Sequence, residues 1–277
     1  MSDNQKTEVR YHMLRPEQIV ARRKEFPAAY IPIGTLEWHG VQNPVGADTL
    51  QAEGIAIRCA QEGGGLVFPP LYYGETRVES LMESTSRDRE LIAEKMELPA
   101  RNFTPEFMPF SASEQATNYQ RLLMHILCEV ESLGFTVGVL VAGHYPLIDH
   151  AMAVVMQFNQ RRLQKFDGML AWAFVDYLLV EDAYPTTGDH AGGWETSHML
   201  ALNPETVDLS LLPPKGEPIV GTMWHIDPHD STAEFGRETI EKTVDVVVRE
   251  VRDRIENLGR YLGHGRAFRE RLWREEG

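Results

Sequence analysis

The chain has 277 residues, 43% of them hydrophobic and 25% charged, which is ordinary for a folded protein with a full core. Its 41 acidic residues outnumber its 27 basic ones and give a net charge of −14. Nucleic acids and anionic membranes are bound by basic surfaces, so this balance argues against both as partners. The length suits a single large domain over residues 1–277.

The termini, the apolar runs and the cysteines point to a cytoplasmic protein. The first eight residues are polar and lack the apolar core of a secretory signal. No apolar run approaches the roughly 20 residues that a membrane-spanning helix needs. Cys59 and Cys128 lie in helix-like apolar patterns without metal or redox spacing, so we expect buried thiols rather than a disulfide.

Strand-like and helix-like patterns alternate along the chain. The strands are predicted at residues 28–33, 66–68, 136–142 and 169–175. The helices are predicted at residues 15–26, 48–62, 113–134, 147–165 and 237–261, with a shorter one from about residue 194, and residues 71–112 are irregular. The alternation predicts an α/β fold with a mostly parallel central sheet flanked by helices.

Chemistry-bearing side chains follow two of these strands. Glu37 and His39 come directly after the first strand and point the same way if the backbone is extended, and His144 follows the strand at 136–142. Asp48 opens the next helix and forms, with Gln51 three residues later, the pattern of a capping box. Because ligand sites form outside the carboxyl ends of parallel strands, these side chains are candidate ligands for a divalent metal.

A second polar cluster lies in residues 188–197 (GDHAGGWETS), on a glycine-rich turn into a helix. It contributes His190 and Glu195, and Asp189 is placed to orient His190. Together the two clusters offer enough nitrogen and oxygen ligands for two adjacent divalent ions.

Each candidate taken alone has an ordinary structural interpretation. Asp48 suits a helix N-cap, and Glu195 suits the first turn of a helix, where the dipole favours acids. Taken singly, Glu37 suits a solvated turn residue. The histidines His39, His144 and His190 suit structural or loop positions without a catalytic role.

Aromatic residues flank both clusters. Tyr145, Trp194 and Trp224 are candidates for a water-excluding wall that binds substrate, and core packing is the alternative for each. His225 and His229 could line a pocket but lack a set of partner ligands.

In several motifs the chain resembles the creatininase (creatinine amidohydrolase) family. The matching segments occur in the family's order: residues 32–40 (PIGTLEWHG) with Asp48, 69–74 (PPLYYG), 143–144 (GH), 190–197 (HAGGWETS) and 231–236 (STAEFG). The resemblance implies a three-layer fold, two divalent metal ions (zinc, manganese or iron) per subunit, and a homo-oligomer, often a hexamer.

The resemblance also implies residue roles. Asp48 resembles the carboxylate that bridges both metals, Glu37 and His144 would bind one ion, and His39 would bind the other. Glu195 is the candidate for the remaining ligand, and His190 matches the family's proton-transfer residue. The chain departs from the family pattern at Pro146, which replaces a glutamate ligand of some members, at Gln42, which replaces a common histidine, and at Gly193, which replaces an acid.

These features predict a metal-dependent hydrolase of a small, polar, ring-containing substrate, in which metal-activated water cleaves a cyclic amide C–N bond. The alternative on the same metals is hydrolysis of a C–C bond that opens the ring of a polyol-derived diketone. A further alternative is a non-catalytic binding or scaffold member of the family.

Overall fold

The computed structural model of the chain describes residues 8–74, 81–160 and 168–261. Its strands are β1 (Ala28–Ile33), β2 (Leu66–Val67), β3 (Val137–Ala142) and β4 (Leu170–Val175). Its helices are α1 (Pro16–Glu25), α2 (Ala47–Gly63), α3 (Met82–Thr85), α4 (Arg89–Lys95), α5 (Ala112–Ser132), α6 (Leu147–Gln160), α7 (Asp176–Val180), α8 (Gly193–Leu202) and α9 (Ala233–Glu256). Short 3-10 helices lie at Tyr11–Met13, Ala100–Phe103, Pro105–Phe107, Pro204–Thr206, Leu209–Leu211, Pro228–Asp230 and Leu258–Tyr261.

The four strands form one sheet in the order β2-β1-β3-β4, and every pairing is parallel. This confirms the predicted α/β fold with a parallel sheet. The last residues of β1, β3 and β4 are level, because Ile33 pairs with Ala142 and Ala142 pairs with Val175. The loops that follow these three strands therefore start at the same edge of the sheet.

Helices cover both faces of the sheet. Alternate residues of each strand point to opposite faces, so each strand contributes to two separate clusters. On one face, Ile31 and Leu140 lie in a buried cluster with Leu127 of α5 and Val154 of α6. On the other face, Tyr30 and Val139 belong to a second cluster, built with apolar residues of α2 and α9. The result is the predicted three-layer arrangement.

The outer edge of β4 is occupied at its second residue by a side chain. The amide of Asn159 on α6 accepts a hydrogen bond from the backbone nitrogen of Ala171 and donates one to its carbonyl, each 2.9 Å long. Both backbone polar groups that Ala171 directs away from β3 are thereby paired.

Most predicted elements are confirmed with small shifts at their ends. The first strand matches residue for residue, and the last long helix begins at Ala233, where the side chain of Thr232 accepts a hydrogen bond from Phe235. The predicted end of the 147–165 helix lies outside the described residues. Within the described ranges, no helix combines the length and apolarity required to cross a membrane.

Candidate metal centre

The centre is built where the N-terminus of α2 meets the ends of β1 and β3. A Cβ at Gly143 would lie 1.8 Å from the carbonyl oxygen of Asp48, and a Cβ at Gly34 would lie 2.6 Å from the backbone nitrogen of Thr49. Only glycine permits so close an approach of backbone to backbone. These two glycines therefore bring Asp48 to the strand ends that carry Glu37 and His144.

The first donor group consists of Glu37, Asp48 and His144, all buried. The Nδ1 atom of His144 lies 2.8 Å from Oε1 of Glu37 and 3.2 Å from Oδ2 of Asp48. Neither carboxylate oxygen has a hydrogen-bond partner of acceptable geometry among the described residues. The other oxygen of Glu37 is fixed, since it accepts a 2.8 Å hydrogen bond from the backbone nitrogen of Met82.

The second donor group consists of His39, Asp48 and Glu195, also buried. The Nε2 atom of His39 lies 2.8 Å from Oδ1 of Asp48 and 3.7 Å from Oε2 of Glu195. The Nδ1 atom of His39 is 3.2 Å from the carbonyl oxygen of Glu37 and donates to it. That outer hydrogen bond leaves Nε2 directed at the carboxylates, as in many metal-binding histidines.

Asp48 belongs to both groups and presents a different oxygen to each. The predicted capping role of Asp48 with Gln51 is wrong, because α2 begins one residue earlier, at Ala47, and no side chain caps it. The carboxylate of Asp48 is instead turned away from its own helix, toward His39 and His144.

His190 lies beside the first group and forms, with Glu37 and His39, a third buried group that could hold an ion. Its Nε2 atom donates a 2.6 Å hydrogen bond to the carbonyl oxygen of Trp38, which fixes the ring and its tautomer. Its Nδ1 atom therefore carries a free lone pair and faces Oε1 of Glu37 at 3.6 Å. The rings of His190 and His39 are 4.5 Å apart between centroids.

The predicted orientation of His190 by Asp189 is wrong. The two carboxylate oxygens of Asp189 accept hydrogen bonds from the backbone nitrogens of Trp194, at 2.8 Å, and Glu195, at 3.2 Å. Asp189 thus holds the first turn of α8, the helix that carries Glu195, while the carbonyl of Trp38 orients His190.

Charges within the centre shift the pKa values of its members. Burial opposes ionisation of Glu37 and Asp48, but the neighbouring imidazoles outweigh it and hold the pKa of each carboxyl below its usual value. Burial would lower the pKa of His39, yet Asp48 and Glu195 raise it to about 10. The negative charge of these buried carboxylates can thus be balanced either by protonated imidazoles or by a divalent cation.

Burial is the largest influence on the pKa values of two further residues, Glu195 and His190. Burial raises the pKa of Glu195 well above its ordinary range, against the opposing effect of His39. Burial lowers the pKa of His190 to about 4, so at neutral pH the ring is uncharged.

The three aromatic candidates occupy different positions. Trp194 is fully buried, and its indole nitrogen donates to Asp176 at 3.1 Å, so it supports α8 from within the core and presents no surface to a substrate. Tyr145 is half-buried, and its hydroxyl has no hydrogen-bond partner among the described residues. Trp224 is 43% exposed and lies over Gly192, beside the segment that carries His190.

Two hydrogen bonds that no sequence pattern indicates join the segment after Glu37 to the segment that carries Glu195. Gln42 donates to the carbonyl of Ala191 at 2.8 Å, and Asn43 donates to the hydroxyl of Thr196 at 2.9 Å. Both contacts join positions about 150 residues apart, so no local pattern could reveal them. Pro146, at the position of a glutamate ligand in some relatives, is exposed and directs no donor to the centre.

A parallel α/β sheet whose strand ends gather imidazoles and carboxylates defines a class of proteins with a buried centre suited to divalent cations. The family model described as creatinine amidohydrolase matches residues 12–251. The chain therefore belongs to the creatininase family.

Individual relatives agree with this assignment. The creatinine amidohydrolase of Pseudomonas putida is 26% identical over 191 residues, which are 65% of this chain and 65% of that protein. Among solved structures, a creatininase mutant of Zn-Zn type has a TM-score of 0.65 and a manganese creatininase has one of 0.66. Each is 21% identical and aligns over 89% of this chain and 98% of its own, which shows a shared fold.

Proposed function

We propose that this chain is a metal-dependent hydrolase that opens a small, polar, ring-containing substrate, with cyclic amide C–N bonds as its target. The observation that carries the proposal is the shared carboxylate of Asp48, whose two oxygens face two separate donor groups. Membership of a family described as creatinine amidohydrolase supports the amide chemistry.

The donor set fits two divalent ions. Glu37, Asp48 and His144 would hold one ion, and His39, Asp48 and Glu195 would hold the other. The buried oxygens of Glu37 and Asp48 that face His144 without a well-formed hydrogen bond are the kind of atom that a cation satisfies. Mixed imidazole and carboxylate donors suit zinc, manganese and iron. When bound, such ions supply Lewis acidity and lower the pKa of a coordinated water.

His190 would act as the proton-transfer residue. Its Nε2–H is committed to the carbonyl of Trp38, so only Nδ1 is free to accept a proton. Because burial keeps the pKa of His190 near 4, the free imidazole is available as a base at neutral pH. The same nitrogen would return the proton to the leaving group as the bond breaks.

Tyr145 and Trp224 are our candidates for contacts to the substrate. Burial, with Glu195 nearby, raises the pKa of Tyr145 well above its ordinary value, so its hydroxyl stays protonated. A protonated hydroxyl that donates to no described residue can donate to a substrate oxygen or nitrogen. Trp224, 43% exposed and next to Gly192, offers a flat apolar surface against which a small ring could pack.

The test is a reaction panel followed by mass spectrometry. Zinc- or manganese-loaded protein is incubated with cyclic amides, creatinine among them, and with cyclic polyol diketones, and each product is scored for the gain of one water. Gain of water by a cyclic amide, lost in Asp48→Ala, is the expected result. Gain of water by the diketones alone would replace C–N with C–C hydrolysis on the same residues.

If wild type and Asp48→Ala were equally inert while wild type bound two zinc ions, the amide proposal would be wrong. A non-catalytic, metal-binding member of the family would then be the better description.

A further inference from the structure

Two segments far apart in the chain are joined behind the metal centre. Residues 38–43 begin directly after Glu37 and include His39, and residues 190–196 carry His190 and Glu195. Three hydrogen bonds connect them: His190 Nε2 to the carbonyl of Trp38 at 2.6 Å, Gln42 to the carbonyl of Ala191 at 2.8 Å, and Asn43 to Thr196 at 2.9 Å. We refer to these contacts as the rear clasp.

In the rear clasp, Gln42 binds the backbone of Ala191, which has an unusual conformation. Ala191 has φ of 54°, in the left-handed region that residues with a Cβ rarely adopt. Both backbone polar groups of Ala191 are bound by side chains. Its nitrogen donates to Oε2 of Glu195 at 2.7 Å, and its carbonyl accepts from Gln42 at 2.8 Å.

The conformation of Ala191 bears directly on the second donor group. The Oε2 atom of Glu195 that accepts from Ala191 is the same atom that lies 3.7 Å from Nε2 of His39. A rotation of the Ala191 backbone would therefore move the hydrogen bond that aims Glu195 at its partner ligands. Among the described residues, only Gln42 donates a side-chain hydrogen bond to the carbonyl of Ala191.

Local packing is consistent with a dedicated place for Gln42. Its side chain is buried, and a Cβ at Gly40 would lie 2.3 Å from its Oε1 atom. Gly40 itself has φ of 71°, so glycine there serves both the turn and the space that the amide occupies.

We propose that Gln42 is a positioning residue for the second metal position: it holds Ala191 in its left-handed conformation, so that the Ala191 nitrogen aims Glu195 toward His39 and Asp48. This inference rests on the proposed function, because it assumes that the second donor group binds a cation. Outer contacts of this kind typically contribute about 10–100-fold to metal affinity.

The experiment is calorimetric titration of the metal-stripped full chain with zinc. Wild type is expected to show two binding steps, and Glu195→Gln identifies the step that belongs to the second donor group. Gln42→Met conserves volume but removes the N–H donor. We expect it to weaken the Glu195-dependent step by about tenfold or more and to leave the other step within about twofold.

Two further variants separate positioning from packing. Ala191→Gly makes a φ of 54° accessible without help, so Gln42→Met in that background should weaken the same step by much less. Asn43→Ala removes the neighbouring contact of the rear clasp and should lower thermal stability without a selective loss at either step. Should Gln42→Met fail to fold, Gln42→Asn withdraws the amide by one methylene and is expected to act in the same direction.

The outcomes distinguish the two proposals. If wild type shows two zinc steps and the Gln42 variants leave both unchanged, or weaken both equally, the positioning role is overturned. The proposed function then remains intact. A wild-type chain that binds no zinc would overturn the proposed function and this inference with it.

Discussion

The Oδ1 atom of Asp48 lies 2.8 Å from the Nε2 atom of His39, and both side chains are buried. The other carboxylate oxygen of Asp48 faces the first donor group, so one residue serves two positions. We expect Asp48→Asn to lower the affinity for both zinc ions on the order of hundredfold or more, since a direct ligand contributes at least as much as an outer contact. The measurement is zinc per chain by mass spectrometry after dialysis. Glu62→Gln, at the exposed far end of the same helix, is the control.

A zinc content of two per chain in Asp48→Asn would contradict the shared role. Loss of one ion alone would assign Asp48 to a single position.

His190 gives a second prediction, which separates a base from a ligand. His190→Gln should lower kcat by about a hundredfold or more on the substrate identified by the reaction panel, as removal of a general base does. Glu37, His39 and His190 also form a group that could hold an ion, but a residue that acts only as a base is not needed for binding, so zinc content should not change. His125→Gln, an exposed histidine on α5, is the matched control. If zinc is lost together with activity, His190 is a ligand instead.

The close approach at Gly143 gives a third prediction. A methyl group there would lie 1.8 Å from the carbonyl of Asp48, so Gly143→Ala must push the start of α2 away from β3. We expect a loss of about 2–3 kcal/mol in the free energy of unfolding, at the upper end of overpacking effects, together with weaker zinc binding. Urea denaturation and zinc titration measure the two effects. Gly259→Ala, whose added carbon meets no atom of the described residues outside its chain neighbours within 4 Å, should change neither.

The buried pair of Asp176 and His198 gives a prediction on pH. The Nδ1 atom of His198 lies 3.5 Å from Oδ2 of Asp176, and its Nε2 atom donates to the hydroxyl of Thr239 at 2.8 Å. That hydroxyl donates to the carbonyl of Phe235, so it can only accept from the ring. The lone pair of Nδ1 therefore faces a carboxylate, and burial raises the pKa of Asp176 from 3.8 to about 6.

The upward shift of the Asp176 pKa sets the direction in which stability changes with pH. A carboxyl whose pKa is raised by folding binds its proton more tightly in the folded state, so its ionisation destabilises the fold fully above pH 6 and not at all below pH 3.8. Asp176→Asn removes this penalty. We expect a gain of roughly 3 kcal/mol in unfolding free energy at pH 7.5 and about half of that at pH 5. Urea denaturation at the two pH values is the measurement, and an equal change at both would contradict the account.

Much of the fold follows from the sequence because its signals are local. Residues 136–142 are apolar without interruption, and residues 28–33 run into a glycine turn, so β3 and β1 are found almost at their observed ends. Parallel pairing then places Glu37 and His144 at one edge. The convergence of Glu37 and His144 was thus predictable from the parallel arrangement of the strands, without the strand order.

The remainder depends on contacts that no local pattern encodes. Asp48 has the sequence context of a cap, but its carboxylate faces two imidazoles from the loops that follow β1 and β3. Trp194 reads as a pocket wall because it neighbours Glu195, yet on a helix adjacent residues face different sides, and its ring packs inward against Phe235. Gln42 carries no chemistry of its own, and only its partner Ala191 reveals a purpose.

The pairing of Asn159 with Ala171 limits how this sheet can grow. An open strand edge is a template onto which a strand of another chain can add, and such addition is a route to aggregation. At β4 the incoming strand would have to displace an amide that already satisfies the donor and the acceptor of Ala171. One side chain from a neighbouring helix thus blocks extension of the sheet at this residue, and any association of copies would have to use a surface other than a continued β-ladder there.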